Sequence, residues 1–303
     1  MNFADICVVI VTYNRLEKLK RTIKSYEKQT LLPKYIIIVN NASTDETKDY
    51  LEKWKNVNNG INKIIINSEQ NLGGSGGFYL GEQLAITLDS SWVMVGDDDA
   101  YPDKFYIEKA FDIINNKKRN EISVICGLVK QNGNFDNYHR ANINSKWKIN
   151  FTKKINFNDI KADNFYIEIS SYVGPIINIE ILKKVGLINE NFFIWYDDVE
   201  HMIRLGKNGK IICSKNMIIE HDIEKKRETL NWKYYYGFRN YIYMIKKHYP
   251  NQYIYILLLF FIKAILCPLR GKSLKEVKMR LIAMRDAFYN KLGKHDIYKP
   301  GWK

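Results

Sequence analysis

Short apolar runs alternate with amphipathic stretches through the first hundred residues, a pattern that predicts strands joined by helices in an α/β sheet. Residues 6–12 form an apolar run of strand length. Residues 16–29 carry Leu16, Leu19, Ile23 and Tyr26 at helical spacing, and 35–39 reads as the next strand. Ser43, followed three positions later by Glu46, predicts a capping box opening a helix that runs to about Lys55. A strand at 63–66, a glycine cluster at 73–77, a helix to about Leu88 and a strand at 92–95 follow. The last strand delivers Asp97, Asp98 and Asp99 at its C-terminal end, where open α/β sheets bind ligands.

From about 130 to 170 the chain is polar, rich in Asn and Lys, and its pattern assigns no element. Residues 178–185 and 198–208 read as helices and 217–219 as a short strand. After Lys225 the chain turns aromatic and basic. Residues 253–269 are apolar except for Lys263, too short and interrupted for a bilayer span and closed by Pro268, so an interfacial helix is expected, with 274–294 continuing the mixture. A helical extension packed on the remainder of the chain, or on a second subunit as a homo-oligomer, is the competing reading.

Composition supports this division. The 303 residues are 46% hydrophobic and 14% aromatic, enough for a sizeable core. Residues 1–224 hold 29 basic and 29 acidic side chains, whereas 225–303 hold 18 and 4, so the whole net charge of +14 sits in the C-terminal part. Positive charge confined to an aromatic, apolar tail points to an anionic membrane surface and away from nucleic acid. The first residues lead into the apolar run without a basic n-region or cleavage site, so no signal peptide is expected and the catalytic part is placed in the cytosol, peripheral on the inner face of the membrane. Cys7, Cys126, Cys213 and Cys267 are far apart, which predicts reduced thiols and neither a zinc site nor a disulfide scaffold.

Three consecutive aspartates after a buried strand carry more negative charge than a core tolerates. Asp97 and Asp99, one residue apart across a tight bend, can turn oxygens toward one Mg²⁺ or Mn²⁺, which would in turn take phosphate oxygen. A solvated turn capping the next helix is the alternative. A second acidic cluster, Trp195-Tyr196-Asp197-Asp198-Val199-Glu200, offers Asp198 as a base for an acceptor hydroxyl, with Asp197 beside it; an acidic first helical turn is the plainer explanation. Trp195 and Tyr196 are candidates for an apolar platform under an acceptor, or are ordinary core rings. His221 can bring imidazole to the same cation, or be an ordinary structural histidine. The run Asn71 to Phe78, Gly74 included, is poor in side chains and would let backbone N–H groups approach phosphate or sugar at a helix start. It lacks the last glycine of a dinucleotide fingerprint, which disfavours a nicotinamide enzyme.

Taken together, Val9-Ile10-Val11-Thr12-Tyr13-Asn14-Arg15, Val39-Asn40-Asn41-Ala42-Ser43-Thr44-Asp45, the glycine run, Gly96-Asp97-Asp98-Asp99 and Trp195-Tyr196-Asp197-Asp198-Val199-Glu200 resemble the family 2 glycosyltransferases over residues 6–222. The tail Tyr234-Tyr235-Tyr236-Gly237-Phe238-Arg239-Asn240 is similar to that of bacterial rhamnosyl- and galactofuranosyltransferases. The resemblance implies a GT-A nucleotide-diphospho-sugar transferase fold, a Rossmann-like mixed α/β sheet flanked by helices, over 1–224, with a helical extension over 225–303. It implies that Thr12, Tyr13, Arg15, Asn41 and Asp45 contact the nucleoside, that Asn71, Gly74 and Asp98 complete the donor site, and that Asp97, Asp99 and His221 hold Mn²⁺ or Mg²⁺. It makes Asp198 the base of an inverting transfer. The glycine density favours UDP-galactofuranose as donor, with dTDP-rhamnose as the alternative, and a glycan or polyprenyl-linked acceptor of bacterial surface polysaccharide such as O-antigen or capsule. Glu200-His201 departs from the pattern, since relatives often carry another acid or an aromatic there. A nucleotidyltransferase would need a Lys- or Arg-bearing glycine loop after the first strand, which Thr12-Tyr13-Asn14-Arg15 is not. The non-enzymatic alternative is a membrane-binding scaffold on a degenerate domain.

Overall fold

The computed structural model describes residues 2–117, 121–145, 147–156, 158, 160–223 and 229–302; the expected boundary at 224/225 lies outside them. The first strand, β1 (Phe3–Thr12), is flanked by β2 (Leu32–Asn40) and β4 (Trp92–Asp97), both parallel to it, and β3 (Asn62–Asn67) extends the sheet beyond β2. Helices α1 (Leu16–Glu27), α2 (Thr47–Lys55) and α3 (Gly73–Ala85) form the crossovers. Along β1, Ile6, Val8 and Ile10 point into one buried cluster and Cys7, Val9 and Val11 into the other. A strand covered on both faces reads as a continuous apolar run, which is why its period-2 alternation is invisible in sequence. Each such side chain contributes about 1.5–3 kcal/mol on leaving water.

After β4 come the short β5 (Ala100–Pro102), helix α4 (Tyr106–Asn115) and β6 (Ile122–Gln131). The polar stretch then supplies β7 (Asn134–Phe135), β8 (Arg140–Ile143), β9 (Thr152–Lys154), β10 (Asn164–Ile167) and β11 (Ile169–Ser170). Strands β11, β8 and β9 make a separate antiparallel sheet. Next are β12 (Ile176–Asn178), α5 (Ile179–Val185), α6 (Asp197–Gly206) and β13 (Lys210–His221). The main sheet runs β10-β13-β6-β12-β4-β1-β2-β3, with β12 antiparallel between β4 and β6. The expected short strand at 217–219 is the end of the twelve-residue β13. Its register slips between Ser214 and Ile218, and its last residues pair with β5, setting His221 opposite Ala100.

Three helices close the chain: α7 (Lys233–His248), α8 (Pro250–Ile265) and α9 (Leu274–Phe288). Tyr241, Ile242 and Ile245 of α7 and Ile256 and Phe260 of α8 share one hydrophobic cluster with Val9 and Val95 of the sheet. The other side of α8 exposes Ile254, Tyr255, Leu258, Phe261, Ile262 and Ile265. No helix among the described residues is long and apolar enough to cross a membrane.

One local expectation is corrected. Ser43 and Glu46 do not form a capping box: α2 begins at Thr47, Asp45 Oδ1 accepts from Thr47 N at 3.2 Å, and Ser43 Oγ accepts from Asn14 N at 3.0 Å. The loop after β2 is latched to the loop after β1, with Asn14 Oδ1 also accepting from Thr44 N at 2.7 Å, and this outcompetes the local cap. The glycine cluster forms the first turns of α3, at the helix start. A Cβ at Gly77 would lie 2.5 Å from Val11 Cγ1, and one at Gly81 would lie 2.2 Å from Val9 Cγ1. Those glycines let α3 lie against β1, while a Cβ at Gly74 would meet open space. All four cysteines are free and buried, as expected.

Candidate active site

Strand β4 ends at Asp97 and the bend into β5 presents Asp98 and Asp99. The three diverge sharply. Asp98 is turned inward and nearly buried, accepting from Thr12 Oγ1 at 2.8 Å and from Arg15 at 3.1 Å, and its main-chain oxygen accepts from Thr22 Oγ1. Burial pushes its carboxyl up, against the opposing pull of Arg15. Thr12 is likewise buried, its hydroxyl committed to Asp98. Asp97 and Asp99 face His221, whose Nε2 lies 3.1 Å from Asp99 Oδ1 and 3.9 Å from Asp97 Oδ2. One ligand atom from each of the three falls within 4.8 Å of the others. Two carboxylates and an imidazole at this spacing suit a hard or borderline divalent cation.

The electrostatics of the triad lean the same way. Asp97 keeps 42% of its side-chain surface yet sits among protein and beside Asp99, and together these push its carboxyl up to about 7. Burial opposes ionisation of Asp99 too, but the His221 hydrogen bond, Arg15 at 2.9 Å and Lys18 at 3.6 Å outweigh it and hold that carboxyl below its ordinary value. His221 is pulled down by burial and up, more strongly, by Asp99 and Asp97.

The second cluster opens α6. Its approach is unusual: Phe193, Trp195 and Tyr196 all have φ between 65° and 67°, a region non-glycine residues rarely enter. Buried Asn240 holds this loop by donating to the carbonyls of Phe192, Ile194 and Trp195, and Ser75 of α3 adds bonds to Glu190 and Phe193. Asp197 is buried, and its carboxyl is pushed far up by burial, by Asp198 and then by Asp97, which places the two acidic clusters within electrostatic reach of each other. Asp198 accepts from Val199 N at 2.7 Å and is raised to about 6 by desolvation. Glu200 is different: it is fully buried against Arg204, Lys247 and His248, which overcome desolvation and hold it at about 2. His201 is also fully buried, its Nδ1 bonded to Tyr172, whose hydroxyl donates to Glu82 at 2.7 Å. The two residues that depart from the family pattern therefore face the interior.

A cleft of about 1030 Å³ is lined by Asn14, Arg15, Lys18, Asp45, Asp99, Trp195 and Tyr234, among others. It gathers Arg15, Asp45, Asp99 and Trp195 from the sequence-predicted set. Tyr13, 41% exposed, precedes Asn14 of that lining. Asn41 is buried, bridging Leu72 N and Gly73 O, with Asn71 at 3.4 Å. Trp195 stands edge-on to Tyr234, while Tyr196 packs on Tyr241. Sequence reasoning missed Lys18, Asn231 and Tyr234 as lining residues. Lys18 was findable, three positions after Arg15 on the first turn of α1, whereas Asn231 and Tyr234 arrive from the C-terminal segment and nothing local announces them. A second hollow of about 780 Å³, beside Tyr166, Met202 and Tyr249, contains none of the acidic residues of either cluster.

Sheet order and element sequence define a GT-A fold: GalNAc-T7, solved with UDP, GalNAc and Mn²⁺, aligns with a TM-score of 0.67 and 16% identity over 96% of this chain and 57% of its own. Residues 7–176 match the model of glycosyl transferase family 2, and the chain belongs to that family. The mannosyltransferase PcManGT from Pyrobaculum calidifontis, in complex with GDP-Man and Mn²⁺, aligns with a TM-score of 0.57 and 15% identity over 95% of this chain and 70% of its own. The galactofuranosyltransferase GlfT1 of Mycolicibacterium smegmatis is 23% identical over 208 residues, 67% of this chain; the match spans 66% of that relative's length.

Proposed function

We propose that the protein transfers galactofuranose from UDP-galactofuranose to a hydroxyl of a glycan or polyprenyl-linked acceptor in bacterial surface polysaccharide synthesis, with inversion at the anomeric carbon. The observation that carries this reading is the convergence of Asp97, Asp99 and His221 on one point, with Asp97 near enough to Asp197 to raise its carboxyl. The family supplies the reaction class, and the similarity to a galactofuranosyltransferase supports the sugar.

In this reading the cleft receives the nucleoside diphosphate. Arg15 and Lys18 are placed to neutralise phosphate charge, and Asp45 and Tyr13 to meet the nucleoside. Thr12 and Asn41 act from beneath: Thr12 fixes Asp98, which fixes Arg15, and Asn41 fixes the turn from Asn71 to Gly73 on which Gly74 stands. Asp97, Asp99 and His221 would hold Mn²⁺ or Mg²⁺. When bound, that cation supplies positive charge opposite the leaving diphosphate. Asp198, near 6, is largely ionised at neutral pH yet basic enough to accept the acceptor's proton, and burial together with Asp198 raises the Asp197 carboxyl well above its ordinary value, which disfavours a second negative charge beside the base. Trp195 offers the acceptor a ring edge and face.

The proposal also keeps 1–224 as the catalytic part and 225–303 as a membrane-directed extension. The exposed apolar face of α8 and the basic excess of that segment support it. The test is a panel of UDP- and dTDP-sugars with acceptor lipid extract, with Mn²⁺ or EDTA, following nucleoside diphosphate release. Metal-dependent release from UDP-galactofuranose alone is expected. Release from dTDP-rhamnose instead changes the sugar, and silence throughout the panel removes the transferase reading.

A further inference from the structure

We propose that His139 is a positioning residue for the cation site: it accepts the Nδ1 proton of His221 and so frees His221 Nε2 to ligate. This rests on the reading of Asp97, Asp99 and His221 as that site. A histidine that ligates through Nε2 carries its proton on Nδ1, and a buried N–H needs an acceptor. His221 is 6% exposed, and its Nδ1 lies 3.3 Å from His139 Nε2, the two rings edge-to-face with centroids 4.9 Å apart.

His139 is itself fixed for the role. Its Nδ1 lies 2.7 Å from Ser171 Oγ, and its carbonyl accepts from Ser171 N at 3.0 Å. Asp136 Oδ2, 3.5 Å from His139 Nε2, is the competing partner of that nitrogen and favours its protonated form, while Asp136 Oδ1 accepts from Tyr138 N. With Nδ1–H donated to Ser171, the Nε2 lone pair of His139 faces His221. Without a cation, the His221 proton sits on Nε2 against Asp99 at 3.1 Å, and His139 Nε2–H can serve as donor to Nδ1 or to Asp136. The same pair of rings therefore serves both states by exchanging donor and acceptor roles, with no movement of the backbone. Outer-shell partners of this kind change metal affinity by about 10–100-fold. The arrangement gives the polar 130–170 stretch, unassigned by pattern, a task at the site.

The test is Mn²⁺ binding by electron paramagnetic resonance, without sugar nucleotide, on the full chain and on H139F, H139Q, S171A and D99N. Wild type is expected to bind and D99N to lose binding. H139F should weaken binding about 10–100-fold, and H139Q, whose amide oxygen takes the place of Nε2 as acceptor, should recover most of it. S171A should weaken it several-fold, and it decides the matter if H139F does not fold. Wild-type affinity in a folded H139F, or equal losses in H139F and H139Q, overturns the proposal, as does unchanged affinity in S171A where H139F cannot be read. Absence of Mn²⁺ binding by wild type is a separate result that overturns the cation site itself.

Discussion

The two acidic clusters share a composition and differ in their surroundings. Asp99 is faced by Arg15 and Lys18 from α1 and hydrogen-bonded to His221 of β13, and Asp98 is paired with Arg15. Asp197 and Asp198 are ringed by protein with few charges, and the hydrogen bonds that favour their ionised forms come from main-chain N–H groups. At Asp99 the neighbouring groups outweigh burial and stabilise negative charge, whereas at Asp197 and Asp198 burial wins and stabilises the proton. A cation site needs the first and a proton acceptor working near neutrality needs the second, so roles that composition leaves ambiguous separate on environment.

Three experiments press on that difference. The largest effect is expected from D198N, which should lower turnover by roughly 10²–10⁴-fold while leaving the donor Kd within a few-fold; isothermal titration and product release measure the two, and full activity would end the base assignment. Next is E82L, remote from the cleft. It strips Tyr172 and Ile188 N of their shared acceptor beneath α6 and should cost about 3 kcal/mol in urea denaturation, with E82Q milder. A stability equal to wild type would show that the buried network is dispensable. The smallest is a pH effect. Because the Asp198 carboxyl is raised to about 6, the reactive ionised form is lost on acidification through that value, so kcat should fall about tenfold per pH unit below it. An acid limb that begins only near pH 4 would mean that Asp198 has an ordinary, solvated carboxyl.

What was legible in sequence was the repeating part. Strands covered on both faces and helices with clean apolar stripes announced themselves through β4, and Asp97 to Asp99 stood out because charge at the end of a buried strand demands explanation. The short strands of 134–170 were not legible: at two to four residues each, they give no periodicity a chance to show. His139 was hidden for that reason. The glycine run was visible, but density of glycine reports close approach without saying what approaches: a Cβ at Gly77 would meet Val11 of β1, whereas one at Gly74 would meet open space. Ser43 and Glu46 had the right spacing for a cap, but a partner twenty-nine residues away, Asn14, held the serine. Glu200 stands in the same acidic motif as Asp198, and Arg204 of α6 together with the arrival of Lys247 and His248 from α7 sets its surroundings apart.

That arrival bears on how the chain can be divided. Glu200 is completely enclosed, and two of its three hydrogen-bond partners, Lys247 and His248, sit at the end of α7, beyond the point where the composition changes. A fragment ending before α7 would lose both of those partners and uncover the side chains that Tyr241, Ile242 and Ile245 cover, a loss set against the modest margin by which domains stay folded. The segment that composition sets apart is thus built into the same core as the sheet, and a fragment without it is expected to be destabilised and prone to aggregate.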